Sequence, residues 1–107
     1  MSSKYALKIT PQAERDLDEI FTYIAYELCN GVAALKLIDK IIDTLIGLED
    51  MPRRCQESDI PELKRDGYRK CVIEKYVALY TVDDENKIVM VVKVFYGMRD
   101  YKNIGFF

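Results

Sequence analysis

Two amphipathic helical stretches followed by three β-rich runs predict an α+β domain of order β-α-α-β-β-β. A helical hairpin should pack on one face of a twisted, mostly antiparallel four-stranded sheet. Three observations carry this expectation. Apolar residues recur at helical spacing between positions 13 and 48. A proline-marked start and an Asn-Gly break divide that stretch into two helices. β-Branched and aromatic residues then dominate positions 68 to 96. With 107 residues the chain reads as a single domain, 1–107.

The first strand is predicted over Lys4 to Ile9, where polar and apolar residues alternate. Thr10-Pro11 reads as a helix N-cap followed by proline at the first helical position, where the missing N–H would have no partner anyway. Glu14 and Asp16 suit the positive end of the helix dipole. Ala13, Leu17, Ile20, Phe21, Ile24 and Leu28 form the apolar side of this helix. Asn30-Gly31 breaks it. Ala34, Leu37, Ile38, Ile41, Ile42, Leu45 and Leu48 then define a second helix, with Lys36, Asp39, Lys40 and Asp43 facing out and Pro52 marking its end. So short a break makes the pair an antiparallel hairpin.

Residues 50–66, rich in proline and charge, read as an irregular connection. Tyr68–Glu74, Tyr76–Val82 and Lys87–Tyr96 read as strands, the last two joined by the polar turn Asp83-Asp84-Glu85-Asn86. Ile88 to Val92 is apolar on both faces, which places that strand centrally with the helices on one side. The other face is expected to be concave and partly open.

Half the residues are apolar and 32% are charged, an ordinary folded balance. No apolar run approaches the ~20 residues of a membrane span. Met1-Ser2-Ser3-Lys4-Tyr5 has no apolar signal region, so a cytoplasmic protein is expected. Cys29, Cys55 and Cys71 form no Cys-x-x-Cys pair and the chain has no histidine, which argues against a zinc site; reduced, packed thiols are expected. No cofactor is expected. Residues 1–50 carry five Lys/Arg against nine Asp/Glu, and residues 51–107 carry eleven against nine, so basic excess falls on the expected sheet.

Cationic and phenolic side chains recur at both ends of that sheet, in Gly67-Tyr68-Arg69-Lys70 and in Tyr96-Gly97-Met98-Arg99-Asp100-Tyr101. Arginine and lysine can grip phosphate or carboxylate, and tyrosine can stack or supply a hydroxyl. Strand alternation puts Lys70 on the open face and Arg69 among apolar neighbours, where a snorkelling or paired arginine is an equal reading. Gly97 relaxes the backbone where the last strand ends, so Arg99 can turn onto the open face; the alternative is a surface pair with Asp100. Arg53, Arg54, Lys64, Arg65 and Lys75 are individually surface residues that could together steer a polyanion. Tyr76 and Tyr80 read as packing. Without histidine, proton transfer would fall to lysine, tyrosine or a carboxylate, with Asp66, Glu74 and Asp100 as the acids available.

The ordered set Ile9-Thr10-Pro11-Gln12-Ala13-Glu14-Arg15-Asp16-Leu17, Tyr23-Ile24, Gly67-Tyr68-Arg69-Lys70, Tyr76 with Tyr80, and Val94 through Tyr101 resembles the RelE/ParE superfamily of toxins from bacterial type II toxin–antitoxin modules, often labelled plasmid stabilisation proteins. The resemblance covers nearly the whole chain. It implies one of two targets: messenger RNA in the ribosome, cut by RelE-like members, or DNA gyrase, poisoned by ParE-like members. For a RelE-like nuclease it implies Arg99, Lys70 and Tyr101 around the scissile phosphate. The place of a further arginine falls at or near Val77, which cannot bind phosphate. The helical hairpin and the Ala-Glu-Arg-Asp-Leu opening look more like the ParE branch, for which Arg69, Lys70, Tyr96, Arg99 and Tyr101 are the expected target contacts. The resemblance also implies a cognate antitoxin, docking as a wrapping tail or amphipathic helix beside the helical hairpin or on the apolar end Ile104-Gly105-Phe106-Phe107. A member that has lost toxicity is a third possibility.

Overall fold

A computed structural model describes residues 4–97. Strands β1 (Ala6–Ile9), β2 (Gln56–Glu57), β3 (Arg69–Ile73), β4 (Tyr76–Asp83) and β5 (Ile88–Tyr96) form one sheet in the order β1-β5-β4-β3-β2. β1 runs parallel to β5 and the other neighbours are antiparallel. β4 is the central strand; β5, expected there, lies one place out, an interior strand between β1 and β4. Among the described residues the strands therefore number five rather than the expected four. The segment 50–66 is not wholly irregular: it contributes β2 and a short helix α3 (Pro61–Arg65).

Helix α1 (Pro11–Thr22) starts as the sequence dictates, with the Thr10 Oγ1 accepting from the Ala13 N–H. It continues as a π-helical turn over Tyr23–Glu27, in which the Leu28 N–H reaches the Tyr23 carbonyl. Cys29 then takes a left-handed conformation (φ 52°), and the Asn30 side chain caps α2 (Gly31–Ile46) by accepting from the Ala33 N–H. The hairpin places Ala13, Leu17, Ile41, Leu45 and Leu48 on Cys71, Ile73, Ala78, Tyr80, Val89, Val91 and Val94. Tyr80 is fully buried and its hydroxyl donates to the Pro52 carbonyl. Leu28, expected on the apolar side, is exposed at the hairpin tip with Tyr23, Tyr26, Val32 and Leu35.

Asp16 does more than face a helix dipole. β1 stops at Ile9, leaving that edge of β5 beyond Val91 without a strand partner among the described residues. The Asp16 carboxylate takes up the Val94 N–H there at 2.9 Å, and also accepts from Lys93 Nζ (3.2 Å) and Gln12 Nε2 (2.8 Å). A carboxylate can be buried only where such partners satisfy its oxygens.

The second face of the sheet is not simply open. Leu63 from α3, with Ile60 and Tyr68, covers Val77, Leu79, Val92 and Phe95 in a smaller cluster. The residues from β2 through α3 thus form a strap across this face. The cysteine expectation is also overturned: Cys55 and Cys71 form a disulfide. The β2–β3 register pairs Gln56 with Lys70 and Glu57 with Arg69, so Cys55 lies opposite Cys71 one rung further along. Their Cα atoms are 5.2 Å apart, within bridging range.

Candidate functional site

Among the described residues, Arg69, Lys70 and Tyr96 do not form one cluster. Arg99 and Tyr101 lie outside the described residues, as does the apolar end Ile104 to Phe107. Arg69 points to the helix side, where its Nη1 donates to the Cys55 carbonyl at 2.7 Å. This favours the structural reading of that arginine. Lys70 pairs across the sheet with Leu79 of the smaller cluster, so it occupies the second face. There its Nζ meets Asp59 at 3.5 Å, and the side chain is 16% exposed. The expected solvent-facing ammonium is instead a half-buried member of an ion pair. Arg53 and Lys64 are engaged as well, with Asp84 and Glu57 respectively. Of the acids, Asp66 closes α3 and Glu74 pairs with Lys40, so they do not meet.

Gly97 acts by clearance rather than by relaxing the backbone. A Cβ there would lie 2.5 Å from the Val77 Cγ2, while the Gly97 N–H donates to the Lys75 carbonyl at 2.7 Å. The β5 end can cross Val77 this closely because position 97 has no side chain.

Tyr96 reaches a site that the sequence reading grasped only in pieces. Its ring meets Tyr76 edge to face, with centroids 5.5 Å apart. The two rings form one wall of a groove of about 440 Å³ between the helical hairpin and the far end of the sheet. Ile24, Ala33 and Leu37 supply the apolar hairpin side; Lys36, Lys40 and Lys75 supply ammonium groups and Glu74 a carboxylate. The strand bend at Glu74, in the left-handed region (φ 57°), brings that carboxylate to Lys40. Lys36 and Lys40 are four residues apart on α2, so one helical stripe carries both to the rim. That spacing was legible. What sequence alone could not give was the opposing wall, because Tyr76 and Tyr96 meet only through the β4–β5 register.

The groove's electrostatics suit binding. The hydrogen bond from Lys40 holds the Glu74 carboxyl below its usual range. Burial, then the nearby Tyr96 and Tyr23 phenols, push Tyr76 up. Both shifts move away from neutrality, so neither group is poised for proton transfer near pH 7. The result is an apolar trough with two aromatic rings and a predominantly cationic rim.

A family model and solved structures place this architecture among known proteins. A family model described as the ParE toxin of the type II toxin–antitoxin system parDE matches residues 7–101. Among solved structures, the chain is similar to one of the chromosomal ParDE system from P. aeruginosa (TM-score 0.71, 23% identity, 89% of this chain and 98% of that one). It is also similar to the RelBE2 toxin–antitoxin complex from Mycobacterium tuberculosis (TM-score 0.67, 22% identity, 90% and 94%). The intact E. coli RelBE complex follows at TM-score 0.62 with 18% identity, covering 89% and 99%. At these identities the structural likeness speaks to fold alone. No curated protein matches the sequence significantly.

Proposed function

The chain belongs to the ParE toxin family of type II toxin–antitoxin systems, and we propose that it acts by binding DNA gyrase and trapping the enzyme on cleaved DNA. The observation that carries this choice over RNA cleavage is Val77. The resemblance to ribosome-dependent nucleases calls for an arginine at or near this place. Here the residue is apolar, 6% exposed, packed with Leu63 and Leu79, and overlaid by Gly97. An arginine could not be accommodated without dismantling that packing. The net charge of −2 agrees, since a ribosome-directed nuclease must approach a dense polyanion.

In this reading Arg99, Tyr101 and Tyr96, at and beyond the end of β5, contact the target. Lys70 exchanges Asp59 for an acidic group of the target, and Arg69 anchors the strand beside it. A cognate antitoxin occupies the groove between hairpin and sheet. Its volume is that of a typical ligand-sized pocket, and its apolar trough with a lysine rim suits an amphipathic segment bearing carboxylates. Both assignments place the protein in the cytoplasm.

Gyrase supercoiling and DNA-cleavage assays with the purified full chain test the target. The expected result is lost supercoiling with accumulation of cleaved DNA, and Arg99→Ala weakens the effect about tenfold or more. Gyrase left untouched at micromolar excess, together with codon-spaced cuts in a translated message, would reassign the protein to ribosome-dependent RNA cleavage. In that case Arg99, Lys70 and Tyr101 become the groups around the phosphate.

A further inference from the structure

We propose that Cys55 and Cys71 are a reversible thiol–disulfide exchange site whose oxidation state sets how firmly the strap 56–66 is held on the second face of the sheet. The disulfide extends a ladder of just two rungs, Gln56–Lys70 and Glu57–Arg69. Such a strand pair has little hold of its own. The other ties of this segment are modest. The Ser58 N–H donates to the Tyr68 carbonyl at 3.0 Å, Arg69 holds the Cys55 carbonyl, and Lys70 pairs with the exposed Asp59, while the Lys64–Glu57 pair lies within the segment itself. Ile60 and Leu63 add the apolar contact. Among the described residues, the disulfide is thus the covalent clamp on a segment that is also held by hydrogen bonds, an ion pair and two apolar side chains.

The two sulfurs differ in access. Cys71 is 1% exposed in the main core, whereas Cys55 is half-buried at the sheet margin. Attack therefore comes at Cys55. A thiolate of a dithiol reductant of the thioredoxin class bonds to the Cys55 sulfur, the Cys55–Cys71 bond breaks, and Cys71 leaves as a thiolate that takes up a proton. The reductant's second thiol then displaces Cys55, which is also protonated, and the reductant departs as its own disulfide. Two electrons and two protons have passed to the protein. A small-molecule disulfide runs the sequence backwards. Once reduced, Cys71 remains a small apolar side chain among Ile73, Ala78 and Tyr80, so the helix-side core persists while the strap loosens. In the cytoplasm proposed for this chain, disulfides that form are mostly transient or redox-sensing. Because Asp59 lies in the strap, the couple also governs how Lys70 is held.

The test uses the full chain with Cys29→Ser, which removes the exposed free thiol. The protein is equilibrated in dithiothreitol redox buffers, and its thiols are counted by alkylation and mass. A reversible two-electron transition is expected, with Cys55 and Cys71 changing together. Hydrogen exchange is followed in parallel. On reduction, amides of residues 56–66 should exchange about tenfold faster or more, while those of Leu45 and Val91 hold their rates. Cys55→Ser should show the reduced pattern without reductant. Unchanged exchange in the strap, thiols that never pair, or reduction that unfolds the whole domain would each overturn the proposal, the last by making the bond a general staple.

Discussion

The two faces of the sheet are covered in different ways. On one, a helical hairpin lays five fully or nearly buried side chains, Ala13, Leu17, Ile41, Leu45 and Leu48, on three strands. On the other, among the described residues, one leucine from a five-residue helix, helped by Ile60 and Tyr68, covers Val77 and Leu79. The first cover is held by area. The second is held by fastenings: a disulfide, the Lys70–Asp59 pair and a carbonyl gripped by Arg69. A broad cover tolerates the loss of a fastening but not of a core side chain. A narrow cover is expected to behave in the opposite way.

The largest effect that tests this contrast is a matched pair of truncations. Leu45→Ala should destabilise the oxidised protein by about 3–5 kcal/mol, because a fully buried site in a rigid layer cannot collapse. Leu63→Ala should lose about 2 kcal/mol, because a short helix can settle into the space. Urea denaturation gives both values, and equal losses would erase the distinction.

A smaller effect sharpens it. Gly97→Ala puts a methyl group against the Val77 side chain and should cost about 1–3 kcal/mol. Adding Val77→Ala should recover part of that loss, since it removes the clashing Cγ2. A double-mutant cycle without coupling would show that the β5 end does not rest on Val77.

The smallest effect lies at the clasp between the chain after α2 and the β4–β5 turn. Hydrogen bonds from Arg53 and then Tyr5 lower the Asp84 carboxyl to about 2. A carboxyl depressed on folding adds stability that is fully present above its unfolded value, about 4, and is lost as pH falls towards 2. Asp84 is exposed, so the contribution is small. Arg53→Ala should return the Asp84 titration, followed by the carboxyl carbon shift, to near 4. A midpoint still near 2 would mean that Tyr5 alone holds the carboxylate.

The same contrast explains what could be read from the sequence. Broad covers repeat themselves. Leu37, Ile38, Ile41, Ile42 and Leu45 announce a buried helix face several times over, and Thr10-Pro11 and Asn30 mark the ends by their capping chemistry. The apolarity of Ile88 to Val92 marked β5 as an interior strand, though β4 and not β5 is the middle one. Fastenings do not repeat. β2 is two exposed polar residues, Gln56 and Glu57, too few to show alternation. Cys55 and Cys71 stand 16 residues apart, and their pairing depends on a register that no local pattern states. Asp16 sits where a helix dipole already accounts for an acid, so its task at the β5 edge was hidden. The candidate site divides likewise. The Lys36–Lys40 stripe was visible, whereas Tyr96 beside Tyr76 and Lys70 beside Asp59 are products of tertiary register.

The parallel contact of β1 with β5 has a temporal meaning. Thr10 and its partner Val92 are separated by 82 residues, so the first strand to emerge during translation has no neighbour until nearly all the described chain exists. β4 waits for the same partner. A nascent product ending before residue 88 holds the helices and a β3–β4 hairpin but lacks the strand that joins β1 to them, so completion of the sheet is a late event dominated by distant contacts. A ribosome making this protein therefore carries an incomplete sheet until β5 leaves the exit tunnel.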